Sequence, residues 1–511
     1  MLSQRRKLLI AVAIAIASEA AVSLSSSRAQ HSPTKALSPV PRVWTDQAIQ
    51  VLQIPLADAA ASPRHISADY YYRMSVRPIY RSYPVYHPDK EPRGYLDRLK
   101  RQEPEITFDA SKLKTEADWI KAGELVFDEP IEFESGGGLA SEIRTRAWFD
   151  QNKVPVTSEG IMPFMRYVVR EKGKIEVGVL SCAQCHTRVM HDGTVIKGAQ
   201  GNFPDDRTFG YETSRKAAQA KDKTAVLKGL RSYLRRNYAV PWLTENANEQ
   251  PEKMSLDEIV DTLEAISPGS CARQGTSVFF PACIPDLIGV KDRRYLDSTG
   301  LLRQDSIADF MRYAALNQGA DMLSLYGKFR PAGELPEPST ESRYSDEQLY
   351  ALALYVYSLQ PPPNPNKFDA LAARGQKVFA QEGCDVCHPA PLYTNNKLTP
   401  ADGFTVPEPH FMEYNILNIY VNTDANLALR TRRGTGYYKV PSLKGVWYRG
   451  PFEHSGSVAT LEDWLDPRRV KDGYVPTGFQ GVKPRPVKGH EFGFSLSLDE
   501  RRALVAFLKT L

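Results

Sequence analysis

Two pentapeptides carry the most specific chemistry in the chain, Cys182-Ala183-Gln184-Cys185-His186 and Cys384-Asp385-Val386-Cys387-His388. Thiols at positions i and i+3 can form thioethers to the two vinyl groups of one porphyrin, and the histidine that follows then lies under the ring as an axial iron ligand. The competing use of such cysteines is a zinc site made from two CxxC pairs, which usually lie ~15–20 residues apart. Here 198 residues separate Cys185 from Cys384. The spacing therefore predicts two covalently bound haem c groups. Cys182, Cys185, Cys384 and Cys387 would attach them, and His186 and His388 would be the proximal iron ligands.

What each iron does depends on its other face. An iron held on both faces passes electrons, whereas one with an open face binds peroxide or dioxygen. Beyond His388 the only methionine is Met412, 24 residues on, and the histidines are His410, His454 and His490. In small cytochromes c the distal ligand precedes the terminal helix by about two turns. His490 stands seven residues before Ser497, where a terminal helix begins. His490 is thus the expected distal ligand of the second iron, with His454 as the alternative. Between His191 and His388 there is no histidine, and His191 is too close to His186 to reach the other face. The first iron is expected to keep an open face unless His65 or His87 folds over it.

The elements that must position these motifs repeat. Gly123-Glu-Leu-Val-Phe127 precedes the first pair of cysteines and Gly375-Gln-Lys-Val-Phe379 precedes the second. Helical patterns over 118–127, 345–359 and 497–511 carry apolar residues at helical spacing. Ala351, Leu352, Tyr355, Val356 and Leu359 align with Ala503, Leu504, Phe507, Leu508 and Leu511, always 152 apart. Pro361-Pro362-Pro363-Asn364-Pro365-Asn366 cannot continue a helix and reads as a stiff linker. The expected fold is mostly α, with two cytochrome c-like haem domains, long loops and an N-terminal extension. The expected divisions are a signal peptide over 1–29, an extended segment over 30–110, haem domains over 111–360 and 367–511, and the linker 361–366. Residues 30–66, rich in Ser, Pro and Ala, read as poorly ordered, and 68–100, dense in Tyr, Arg and Pro, as an extended wrapping segment.

The compartment follows from the N-terminus. Gln4-Arg5-Arg6-Lys7, the apolar run Leu8–Ala17 and Ser27-Arg28-Ala29 form the three parts of a secretory signal. The protein is thus expected to be periplasmic or secreted, with no membrane segment after cleavage. In an oxidising compartment the two remaining cysteines, Cys271 and Cys283, read as a structural disulfide, with two buried free thiols as the alternative. The net charge of +5 is small and partly confined to the leader. No basic run interleaved with aromatics occurs, which excludes a nucleic-acid partner.

These residues resemble the bacterial dihaem cytochrome c peroxidases and their MauG-type relatives over roughly residues 117–511. The specific pieces are the two CxxCH motifs, Val440-Pro441-Ser442-Leu443-Lys444-Gly445-Val446, and the stretch Gly450-Pro451-Phe452-Glu453-His454-Ser455-Gly456-Ser457 with Thr460-Leu461 after it. The resemblance implies oxidative chemistry on peroxide or dioxygen at the N-terminal haem. It also implies electron transfer through the C-terminal haem, a cytochrome or cupredoxin as electron donor, and His454 in the region between the haems. A calcium ion between the domains is frequent in such relatives. The absence of a methionine for the second iron and of a histidine after the first looks more like the rubber-oxygenase branch. Trp242 and Trp447 are candidates for an electron bridge, and Phe310, with Asp309, Asn317 and Gln318, for the distal pocket. The rival reading is a dihaem electron carrier without turnover.

Overall fold

Serine and threonine capping boxes start the helices that frame the molecule. In the computed structural model, which describes residues 39–135, 139–475 and 485–511, helix α1 (Glu116–Asp128) begins where Thr115 and Asp118 satisfy each other's backbone N–H groups. It packs on α2 (Asp346–Ser358), opened by the same device from Ser345 and Gln348. Downstream, α3 (Ala370–Gln381) packs on α4 (Leu498–Lys509), capped by Ser497 and Glu500. One glycine sets the crossing in each pair. A Cβ at Gly123 would lie 1.9 Å from the Ala351 carbonyl oxygen and 2.7 Å from Tyr355 Cβ. A Cβ at Gly375 would lie 1.9 Å from the Ala503 oxygen and 2.8 Å from Phe507 Cβ. The internal repeat is therefore one backbone-on-backbone helix contact made twice, with residues 152 apart in the second helix of each pair.

A four-stranded antiparallel sheet accompanies the first pair and was not legible in the sequence. Its strands are β1 (Ser82–Tyr86), β2 (Glu132–Glu134), β3 (Ile161–Val168) and β4 (Glu176–Val179), in the order β1-β3-β4-β2. Tyr83 pairs with Tyr167, Arg166 with Gly178, and Phe133 with Gly178, and β1 carries an irregularity between Pro84 and Val85. Met162, Phe164 and Val177 bury one face against Trp148, Phe149 and Phe203.

Residues 68–100 are thus a helix (Ala68–Arg73), a strand and a second helix (Tyr95–Lys100) rather than one extended wrap. Residues 39–66 are not loose either. Val43 and Trp44 are fully buried, and the Trp44 indole N–H donates to the Ile66 carbonyl at 2.9 Å. The apolar residues Leu52, Ile54 and Leu56, scattered among polar neighbours, supply this anchoring.

Residues 359–369 contain neither helix nor strand, and Asn364 ties them to the end of α4 through a 2.9 Å bond to the Lys509 carbonyl. A buried arginine pair joins the chain on the two sides of this segment. Arg432 donates to the carbonyls of Ala239 (2.8 Å) and Asn237 (2.6 Å). Arg433 pairs with Asp297 at 2.8 Å and donates to Asn317 at 2.9 Å. Val40–Leu511 is accordingly one compact unit. The leader residues lie outside the described residues, and no described helix is long and apolar enough to cross a membrane.

Candidate haem sites

The sheet delivers the first motif. Strand β4 ends at Val179, Leu180 takes a left-handed turn (φ 63°), and Ser181 caps the short helix Cys182–Cys185 by accepting from the Gln184 N–H. The Gln184 side chain accepts in turn from the Leu180 N–H at 2.7 Å. Gly201 lies so close that a Cβ there would stand 2.1 Å from the Cys185 carbonyl oxygen. His186 donates from Nδ1 to the Pro285 carbonyl at 3.0 Å, which leaves Nε2 as the free lone pair. Burial, then the Arg273 guanidinium nearby, push His186 down to about 4. The ring is therefore held neutral, the state in which it ligates iron.

The second motif hangs from α3. Gly383, at φ 69°, stops the helix, and Cys384–Val386 forms a single tight turn. His388 donates from Nδ1 to the Tyr393 carbonyl at 3.1 Å, and burial lowers its pKa. It lines a cavity of about 310 Å3 whose walls include Phe379, Leu443, Val446, Leu461, Trp464 and Leu504.

His490 lines the same cavity. Burial and the neighbouring His388 imidazole push it down to about 3. Its backbone sits at φ 47° directly after Gly489 at φ 78°. The His490 N–H donates to the Val421 carbonyl at 2.7 Å, and a Cβ on Gly489 would lie 2.3 Å from the Asn422 carbonyl carbon. This left-handed turn is pinned by Arg469, whose guanidinium is fully buried. Its donors reach the carbonyls of Trp464 (2.9 Å), Val487 (2.6 Å), Gly489 (2.8 Å) and His490 (2.8 Å). His490 Nδ1 is buried with no hydrogen-bond partner.

The remaining candidates fall elsewhere. His454 lines the second cavity but stacks on Tyr438 at 4.2 Å and contacts Glu453 through Nδ1. Its carbonyl accepts from the Cys283 N–H at 2.7 Å, two residues from the Pro285 carbonyl that orients His186. Met412 is 90% exposed and His410 bonds the Tyr437 hydroxyl at 2.8 Å. His65 is held by Ser324 (2.9 Å) and Trp44, His87 by Phe149 and Asp89, and His191 is exposed. Trp242 stacks on Tyr326 and Trp447 packs edge-on against Tyr448, so neither lines the second cavity. Trp464 does, 5.0 Å from the His490 ring centroid. Gln318 donates to Cys182 Sγ at 3.5 Å and Asn317 is bonded by Arg433. Phe310 packs on Tyr357, and Asp309 caps its own helix and pairs with Arg312.

The expected disulfide is corrected. Cys271 and Cys283 are free thiols. In their two-residue ladder Cys271 pairs with Ala282, and Cys283 with Ser270. Successive residues of a strand point to opposite faces, so this register sends the two sulfurs apart. Cys271 lies instead beside Cys185, and Cys283 beside the Gln200 amide at 3.1 Å. Among the described residues no group of three or more His, Cys, Asp or Glu is placed to hold a metal ion, so calcium ligands are not identified there.

The residues fit the groups their motifs imply. Each site pairs a cysteine couple with a neutral, oriented imidazole, and the second adds a cavity and an unpartnered imidazole nitrogen on a further histidine. Sequence reasoning missed Pro285, Arg469 and Trp464, because a backbone carbonyl and one arginine or tryptophan among many carry no local signature.

No family model matches the chain. Over 163 residues (28% of this chain) it is 26% identical to cytochrome-c peroxidase IdrP1 of Denitromonas iodatirespirans. Over 154 residues (27% of this chain) it is 27% identical to cytochrome-c peroxidase IdrP2 of the same organism. These stretches cover 40% and 38% of the two relatives, so the chain spans about two-fifths of the length of the curated proteins it matches. Among solved structures, hydrazine synthase of Kuenenia stuttgartiensis pressurised with xenon aligns over 47% of this chain and 73% of its own, at 15% identity and a TM-score of 0.28. A MauG-like protein associated with microbial copper homeostasis aligns over 32% of this chain and 56% of its own, at 20% identity and a TM-score of 0.21.

Proposed function

We propose that the chain is an exported dihaem c-type oxidoreductase of the cytochrome c peroxidase and MauG type. Peroxide or dioxygen would react at the first haem, and the second would pass electrons to or from it. The observation that carries this reading is an asymmetry. His490 shares a cavity with His388, while His65, His87, His410 and His454 are each engaged by other side chains. Haem iron supplies the redox chemistry when bound. The chain's own part is to hold two proximal imidazoles neutral through the Pro285 and Tyr393 carbonyls, and to keep the second site closed with His490. At the first site Gln318 contributes an amide beside Cys182, with a buried carbonyl oxygen that has no partner. Its carbonyl oxygen is the group we assign to accepting a hydrogen bond from a peroxide bound at this site. A second site with two histidines, and Met412 turned to solvent, supports the rubber-oxygenase-like branch over plain peroxidases. The organic substrate and a cytochrome or cupredoxin donor belong to the same proposal.

The test is to express the protein with a haem-maturation system and titrate it with cyanide and with carbon monoxide. One of two haems should bind, and His490→Ala should open the second. Two low-spin haems that bind neither ligand would overturn the reading and leave an electron carrier.

A further inference from the structure

The wall of the second cavity carries an excess of positive charge. Its ionic side chains are Arg293, Lys397, Lys439 and Arg449 against Asp286 and Glu453, four cations and two carboxylates. Glu453 is occupied by His454. Asp286 is shared by Arg293 at 3.7 Å and Arg449 at 4.0 Å, and it also accepts from the Tyr448 hydroxyl at 3.0 Å. Among the described residues neither Lys397 nor Lys439 has an ion pair, and Arg449 keeps a donor without an acceptor. Lys439 is half-buried, and among the described residues no carboxylate lies within ion-pair distance of its ammonium. The carboxylate that acts on it most strongly, Asp297, is committed to Arg433 and Arg273. Arg449 spends one Nη on the Ser442 carbonyl at 2.7 Å, while its Nε is buried with no partner. An unpaired ammonium facing a cavity and a buried N–H without an acceptor both favour an anion there. Both residues lie on the strand and loop (437–451) that also carries the Val440–Val446 motif.

We propose that Lys439 and Arg449 are the anchors for the two propionate carboxylates of the haem carried by Cys384 and Cys387, whose double negative charge matches the excess of two. This rests on the haem assignment made above. Lys439 would meet one carboxylate as a point charge. Arg449 would meet the other through Nε and its remaining Nη, beside the Asp286 carboxylate that fixes the guanidinium. The groups that would crowd a carboxylate here are Asp286, paired with Arg293, and Glu453, bonded by His454 and Ser455.

The experiment uses the holoprotein and three variants, Lys439→Gln, Lys439→Arg and Arg449→Gln. Haem content, measured as the pyridine haemochrome, should stay at two per chain, because attachment is through the thioethers. A count below two in the unsubstituted protein would instead defeat the haem assignment itself. Removing one cation near the iron favours the oxidised form. At fixed potential the reduced-to-oxidised ratio of the bis-histidine haem should fall about tenfold, about 59 mV for a one-electron couple, in Lys439→Gln and in Arg449→Gln. Lys439→Arg should restore it. The low-frequency Raman band of the propionate bend should move in the same two variants and not in Lys439→Arg. An unchanged potential and an unchanged propionate band in whichever neutral variant folds would overturn the proposal.

Discussion

Arg469 is the position where one substitution should uncouple His490, the proposed distal ligand of the second haem, from the rest of the fold. Its guanidinium is fully buried and donates to four main-chain carbonyls, those of Trp464, Val487, Gly489 and His490. The carbon at its centre also lies 5.1 Å from the Trp464 ring centroid and 4.7 Å from that of Phe494. A hydrogen bond to a charged group is worth about 1.5–3 kcal/mol, and carbonyls left buried without a donor cost about 1–3 kcal/mol each. Losing the desolvation cost of the arginine offsets part of this, and the four bonds are not additive. Arg469→Met should therefore destabilise by about 3–5 kcal/mol. Arg469→Lys, which can meet one or two of the carbonyls, should cost about half as much.

The loss should be local before it is global. His490 holds a left-handed backbone that costs a non-glycine residue about 1–2 kcal/mol, and Arg469 is the side chain that holds that turn on its C-terminal side. In urea the Arg469→Met holoprotein should lose its low-spin second haem at a lower concentration than its far-ultraviolet circular dichroism, and should bind carbon monoxide at that haem beforehand. A variant that unfolds at the parent's urea midpoint, with the second haem low-spin throughout, would refute the reasoning.

Gly375→Ala should break the α3–α4 crossing, since its Cβ would meet a main-chain oxygen at 1.9 Å that cannot rotate away. A loss of at least about 3 kcal/mol in urea unfolding is expected, whereas Gly229→Ala, exposed in the helix Lys223–Tyr238 with nothing within 4 Å, should gain about 0.5–1 kcal/mol. Glu129 should give the fold a pH dependence. Burial raises its pKa to about 8, so the folded state binds its proton more tightly than the unfolded chain does. The stability it contributes is complete below the ordinary carboxyl range near 4.5, declines as pH rises from there to about 8, and is flat above. Its full size is on the order of 3–5 kcal/mol. Glu129→Gln should flatten that decline and be the more stable protein at pH 8, as read from urea midpoints between pH 5 and 8.5; parallel curves for the two proteins would contradict it.

Cysteine spacing and capping residues are local facts, which is why the two CxxCH motifs stand out and helices α1, α2 and α4 could be read from residues alone. The repeat was legible for the same reason, since Gly123 and Gly375 stand at matching places in one short pattern, although only the crossing shows that both are glycines because a carbonyl lies against them. Contacts between distant segments left no such trace. The four-stranded sheet pairs Ser82–Tyr86 with Ile161–Val168, and its first strand is too rich in tyrosine and proline to announce itself. The disulfide expected from oxidising surroundings fails on a register of a single residue, because Cys271 and Cys283 stand opposite different partners and so on opposite faces. His490 was identifiable as a histidine near the terminal helix. That it lines one cavity with His388, is neutral, and is held in a left-handed turn by an arginine 21 residues earlier is a property of the packed chain. Residue type sets which chemistry is available, but the dielectric and the geometry that turn an imidazole into a ligand exist only once the cavity around it has closed.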